Sequence, residues 1–234
     1  MIETAISYGF SEENRYKIKD IPQSIQLSIW KYDIWKENMD KIIEKIYLNS
    51  VSVKTVHLPL DTLKRPFKDI FDLMGILHST ILCNKFIIHP NKGILEFIEE
   101  FVNWSETVTL CIENFQYRKK KTLRNPIEII TKCVETGSDK IKMCFDTSHV
   151  EAIWFDGSIM TSLLKHIKVI HLSNRIGKQS HLPFNIQNGD LNLVGFVHEL
   201  KKRYKWEGLI VLEYLQDYQY KLNKNLEYLK RLVE

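Results

Sequence analysis

An α/β fold closed as a (β/α)8 TIM barrel is predicted for this 234-residue chain by three observations. Short runs rich in Val and Ile alternate with longer amphipathic stretches, the pattern of a parallel sheet whose strands are buried on both faces. Six of the runs end in a residue able to bind a metal: His57 in TVHLP, His89 in KFIIHP, Glu113 in TLCIEN, Asp146 in KMCFD, His171 in KVIHL and Glu213 in LIVLE. These ends recur roughly every 25 to 40 residues, about one strand plus one helix of such a barrel.

The strands are expected at 2–7, 25–30, 52–57, 84–89, 107–113, 141–146, 167–172 and 208–213. Helices are expected at 35–48, 67–80, 93–104, 124–136, 157–165, 193–204 and 217–232. In the first of these Trp35, Met39, Ile42, Ile43 and Ile46 share one stripe, as a helix packed on a sheet requires. Pro126 suits a first helical turn, where its missing N–H is harmless. Gly137 suits the turn that ends the same helix. Between the first two strands, SEENRYKIKDIPQS is short and weakly periodic, so the first helix is expected to be degenerate.

Length and composition fit one domain spanning 1–234. Apolar residues at 44% and charged residues at 26% are those of a soluble protein. A net charge of +4 permits a phosphate or nucleic-acid partner without requiring one. Cys83, Cys111, Cys133 and Cys144 form no CxxC pair, so buried reduced thiols are expected and a thiolate metal site is not. MIETAISYGF lacks a basic segment followed by an apolar one, and no apolar run approaches ~18 residues. No membrane partner and a reducing, cytoplasmic setting are therefore expected.

Side chains alternate along a strand, so the residue two before each polar end shares its face. Those residues are Thr55, Ile87, Cys111, Cys144, Val169 and Val211, the small or branched types that fill a barrel interior. The six polar ends should therefore point inward at the C-terminal mouth, where barrel active sites lie. Glu113, Asp146 and Glu213 brought together there would repel one another, and a divalent cation removes that conflict. Mixed imidazole and carboxylate ligands suit Zn, Mn, Co or Fe(II). His149, three residues after Asp146, and His181 bring the candidate ligands to eight, more than one ion needs. The surplus points either to further ions or to groups that hold substrate.

Three other features are candidate substrate contacts. The segment NFQYRKKKTLRNP after Glu113 places Lys119 and Lys120 among aromatic and basic neighbours, suited to a phosphate or a nucleic-acid backbone. Arg175 follows His171 by four residues and could meet an anionic or hydroxyl-rich substrate, and Trp154 could wall the pocket. His78, His166 and His198 are assigned no function. There is no Walker loop, GxSxG elbow or dinucleotide GxGxxG motif.

From about Val53 to Leu215 the chain resembles the xylose isomerase-like superfamily of TIM barrels, which includes sugar isomerases and epimerases and endonuclease IV. The matching motifs run in order: HxP at His57, HP at His89, EN at Glu113-Asn114, DTxH from Asp146 to His149, HL at His171, HLP at His181 and LE at Glu213. In the isomerases and epimerases the resemblance implies one divalent ion held by Glu113, Asp146, His171 and Glu213, with Glu113 and Glu213 as catalytic acid and base. In endonuclease IV it implies up to three zinc ions, His57 and His89 joining Glu113 at one of them. A further ion would be held by His149, His181 and an Asp two residues before His181. That Asp is Gln179 here, and the Gly-x-Gly after HLP is broken in HLPFNIQNGDLN.

The expected function is thus a metal-dependent isomerase or epimerase of a sugar, sugar phosphate or related polyol, with one ion expected and ligands enough for up to three. The alternative is an endonuclease IV-like phosphodiesterase acting on abasic-site DNA. A further alternative is a barrel that binds sugar or metal without turnover, because function resides in the site and not in the fold.

Overall fold

The computed structural model describes residues 1–9, 22–29, 31–114 and 126–234. Eight parallel strands close into a barrel: β1 (Ile2–Tyr8), β2 (Ser24–Ser28), β3 (Ser52–His57), β4 (Lys85–Ile88), β5 (Thr109–Glu113), β6 (Ile141–Asp146), β7 (Ile167–Leu172) and β10 (Gly208–Leu212). β10 pairs with both β7 and β1, which completes the ring. All eight expected strands are present, within two residues at either end. Of the segment expected to hold a degenerate first helix, 11–24, residues 11–21 lie outside the described residues and Ser24 opens β2.

Seven α-helices occur among the described residues: α1 (Tyr32–Leu48), α2 (Phe67–Ile81), α3 (Ile94–Trp104), α4 (Pro126–Glu135), α5 (Gly157–Leu164), α6 (Leu193–Lys202) and α7 (Leu222–Val233). Each buries an apolar stripe against the sheet. In α3, Ile94, Phe97, Ile98 and Phe101 recur at the three- and four-residue spacing of one helix face, and all are buried. The helix expected over 124–136 is described from Pro126 to Glu135, and Gly137 beyond its end takes φ +61°, a conformation that glycine adopts without steric penalty. The last expected helix starts late: residues Gln216–Lys221 wind as a 3-10 helix before α7 begins.

The inner layer of the barrel is a separate packed cluster of Ala5, Ile87, Cys111, Cys144, Val169, Leu209 and Val211. Five of these are the residues expected two positions before the polar ends. The sixth such residue, Thr55, is fully buried, and its hydroxyl donates to Lys85 O at 2.9 Å. The four cysteines are buried free thiols, and burial pushes Cys144 up to about 12. The mouth of the barrel is therefore floored by a dry layer, on which polar groups stand in a low-dielectric setting.

Two further strands were not expected. Between β7 and β10 a small antiparallel hairpin forms from β8 (Asn174–Ile176) and β9 (Gln179–Leu182), turning at Gly177 with φ +57°. Its strands are three and four residues long and mostly polar, too short for alternation to reveal. No helix among the described residues is long and apolar enough to cross a membrane.

Candidate metal centre

All eight candidate ligands lie at or just beyond the C-terminal ends of the strands, His181 arriving on β9. Six of them, His57, His89, Glu113, His149, His181 and Glu213, line a cavity of about 280 Å³. Asp146 and His171 sit beneath it and are fully buried. Ser28, Ile29, Leu58 and Leu60 complete the wall.

Seven of the eight form three overlapping groups: His57, Glu113 and His171; Asp146, His149 and His181; and Glu113, Asp146, His171 and Glu213. In each group one ligand atom per residue lies within 4.8 Å of the others. His171 is at the centre. Its Nδ1 is 2.9 Å from Glu113 Oε1, 2.8 Å from Glu213 Oε2 and 3.9 Å from Asp146 Oδ2. The other Glu113 oxygen, Oε2, lies 2.9 Å from the Nε2 of both His57 and His89. In the group of Asp146, His149 and His181, His149 Nε2 and His181 Nε2 are 3.1 Å apart.

Short side-chain contacts fix these groups. Asp146 Oδ1 accepts from both the backbone N–H and the hydroxyl of Ser148, at 2.7 and 2.9 Å. That commitment turns Oδ2 inward, toward His149 Nδ1 at 3.6 Å and His181 Nδ1 at 3.9 Å. Asn114 ties the end of β5 to that of β6, and Thr147 ties β6 to β7 by donating to Ser173 O at 2.7 Å and accepting from Ser173 N at 3.1 Å. His57 Nδ1–H donates to Leu58 O at 3.0 Å, leaving Nε2 toward Glu113. His181 takes φ +57°, unusual for a residue with a Cβ, and its carbonyl accepts from Leu215 N at 2.9 Å, which holds β9 against the segment after Glu213.

The charges respond to this crowding. Burial alone would raise Glu113, yet the imidazoles of His89, His171 and His57 hold it well below the ordinary carboxylate value. Burial likewise opposes the ionisation of Glu213, but His171 and His181 outweigh it and bring the carboxyl down to about 2. Burial also opposes a charge on His171, and Cys144, Glu213 and Glu113 around it raise the imidazole well above its ordinary range. Protons on His57 and His171 offset the carboxylate charge.

The donor set fits a divalent metal. Asp146 Oδ2 and His181 Nδ1 are buried with no hydrogen-bond partner among the described residues. Glu213 Oε2 approaches His171 Nδ1 without hydrogen-bond geometry. Ligands of one tetrahedral ion, each at about 2.1 Å, stand roughly 3 to 3.5 Å from one another, comparable to these contacts. Nitrogen and oxygen donors with no thiolate match Zn, Mn, Co or Fe(II).

The expected substrate contacts divide. His149 lines the cavity. Arg175 does not: it lies in the hairpin with its Nε 3.6 Å from Asp190, and it accepts Asp190 N–H at its own carbonyl. Trp154 packs half-buried against the helical core in the turn Ala152–Phe155 and is not among the lining residues. Lys119 and Lys120 lie outside the described residues. Gln179, which stands where endonuclease IV would have an Asp, is exposed on β9.

Polar residues from β1 and β2 were missed. Gln26 Oε1 accepts from His171 Nε2 at 2.9 Å, and Ser28 on the cavity wall shares a 2.7 Å hydrogen bond with Ser7. The signal was present in SIQLS, where the polar Ser24, Gln26 and Ser28 alternate with Ile25 and Leu27.

The closed barrel thus gathers imidazoles and carboxylates at its C-terminal mouth in groups that could hold a metal ion. The family model described as xylose isomerase-like TIM barrel matches residues 92–232, and the chain belongs to that family. No curated protein sequence matches the chain. Among solved structures it is similar to a D-tagatose 3-epimerase-like protein, at 14% identity over 99% of this chain and 98% of that one, with a TM-score of 0.75. It is also similar to the 3-keto-D-glucoside 4-epimerase YcjR from E. coli, at 11% identity over 99% and 100% of the two chains, with a TM-score of 0.69. A third is the D-psicose 3-epimerase from Clostridium cellulolyticum H10, at 10% identity over 99% of each chain, with a TM-score of 0.64. At these identities the likeness is one of fold.

Proposed function

We propose that this chain is a divalent-metal-dependent isomerase or epimerase of a sugar, sugar phosphate or related polyol. The observation that carries the reading is the convergence of Glu113 and Glu213, from β5 and β10, on His171 Nδ1 at the floor of the cavity. Glu113, Asp146, His171 and Glu213 would hold the ion. When bound, it supplies a positive charge that polarises the substrate's carbonyl and hydroxyl oxygens.

The protein's own groups do the rest. One glutamate takes the proton from the carbon beside the carbonyl, and the other returns a proton to complete the isomerisation. Either carboxylate can serve as the acceptor, and the glutamate that returns a proton must carry one beforehand, so that one proton is removed and one delivered in each turnover. The cavity of about 280 Å³ is close to the roughly 300 Å³ lower end of small-molecule sites, which suits a single sugar unit. Ile29, Leu58 and Leu60 shield the reacting centre from water on one side. The fold of the solved sugar epimerases supports the same class.

The test is Glu113→Gln and Glu213→Gln, assayed on a panel of ketohexoses and their phosphates with metal content measured in parallel. The reading predicts weaker metal binding in each variant and, at saturating metal, a remaining loss of turnover of at least about 100-fold. Full isomerase activity in either variant removes the acid–base assignment.

A second reading rests on one specific observation, the approach of both His57 Nε2 and His89 Nε2 to Glu113 Oε2. That set could hold a further ion, as in a zinc phosphodiesterase of the endonuclease IV type acting on abasic-site DNA. Three tightly bound zinc ions per chain together with cleavage of an abasic-site duplex would establish it over the isomerase.

A further inference from the structure

We propose that Gln26 is a positioning residue that fixes the ring of His171 from across the barrel, so that Nδ1 is presented to the divalent cation. The inference rests on the metal reading above and adds to it a residue that belongs to none of the ligand groups.

The topology makes the contact unusual. β2 pairs with β1 and β3, whereas β7 pairs with β6 and β10, so the 2.9 Å bond from His171 Nε2 to Gln26 Oε1 crosses the interior between strands that are not neighbours. Both residues are fully buried. On either side of Gln26, Ile25 and Leu27 join the main core cluster between sheet and helices, which leaves Gln26 facing inward. An amide in a dry interior is unfavourable unless hydrogen-bonded, and here only its oxygen is used, Nε2 having no partner among the described residues.

The chemistry follows from what an amide oxygen can do. Oε1 only accepts, so His171 Nε2 must carry a proton, and Nδ1 is the nitrogen that faces Glu113, Glu213 and Asp146 and that a cation would take. The flipped amide would set its NH2 against Nε2 and drive the ring proton onto Nδ1, where it would meet the cation. A neutral partner also fixes the ring without adding a fourth negative charge to a site that already holds three carboxylates. Ligating histidines depend on such outer partners, whose loss weakens metal binding by roughly 10- to 100-fold.

The experiment compares wild type, Gln26→Met and Gln26→Glu. Met keeps the length and removes the acceptor, and Glu keeps the acceptor. Co(II) titration followed by visible absorption reads affinity and ligand geometry, and proton NMR of the metal-free chain reads the sheltered His171 Nε2–H. In Gln26→Met the affinity for Co(II) should fall about 10- to 100-fold, the absorption band should change and the downfield N–H signal should vanish. In Gln26→Glu the N–H signal should remain and Co(II) should bind more tightly than in Gln26→Met. Wild-type affinity and an unchanged spectrum in Gln26→Met overturn the positioning role alone. Failure of the wild type to bind Co(II) instead overturns the metal reading on which it rests.

Discussion

Asn114 and Asp146 exchange two hydrogen bonds across adjacent strand ends: Asn114 Oδ1 accepts Asp146 N–H at 2.7 Å, and Asn114 Nδ2 donates to Asp146 O at 3.0 Å. The side chain thereby acts as one more rung between β5 and β6, just where the ladder stops and the ligands begin. Replacing it strands two buried backbone groups. Asn114→Ala is expected to destabilise the chain by about 1–3 kcal/mol, measured by denaturant unfolding, and to weaken metal binding because Glu113 and Asp146 lose their common anchor. Unchanged stability and affinity would mean that the strand ends hold their positions without it.

Ile87 lies in the inner layer two residues before His89, on the strand whose end approaches Glu113. Ile87→Ala opens a cavity in that layer and should cost about 2–5 kcal/mol. Val at the same position should cost about 0.5–1.5 kcal/mol. Equal losses for the two would argue that the layer is not close-packed.

Arg175 pairs with Asp190 in the hairpin and does not line the cavity. Arg175→Met is therefore expected to alter KM and kcat by less than about threefold, with a stability change of no more than about 1 kcal/mol for a partly exposed pair. A large rise in KM with kcat unchanged would return it to the substrate-binding set.

The ionisation of the metal-free site sets a pH window. His171 is raised above 6.5, so its contribution is complete below that pH and is lost as pH rises through the folded value. Glu213 is lowered from 4.5 to about 2, so its contribution is present above 4.5 and is lost as pH falls toward 2. Thermal unfolding of the chelated protein should show greatest site-derived stability between about pH 4.5 and 6.5. A bound divalent ion should remove the alkaline decline, since neutral His171 is the ligand form. A chelated protein that is more stable at pH 9 than at pH 6 would contradict this account of the charges.

Strand-level features were legible because the barrel repeats one rule, its polar end visible in six of the eight strands. Apolar runs with a polar end disclosed the strands, and stepping back two residues disclosed the inner layer, Thr55 and Ile87 to Val211. The hairpin of β8 and β9 was not legible, because its polar strands of three and four residues carry no hydrophobic period. Roles that depend on contacts between distant segments were also hidden. Arg175 stood near His171 in sequence but is turned to Asp190, while Gln26, 145 residues from His171, touches it. Sequence proximity suggested the first pair, and only the closed ring brings the second together.

The central claim is that Glu113, Asp146, His171 and Glu213 hold a divalent cation at the floor of the cavity. Crystals grown with Mn(II) or Zn(II) and measured at the metal's absorption edge test it most directly. The account predicts an anomalous peak roughly 2.0–2.3 Å from His171 Nδ1 and bonded to carboxylate oxygens of Asp146, Glu113 and Glu213. A metal-soaked crystal with no peak there, or with its only peak remote from His171, would contradict it.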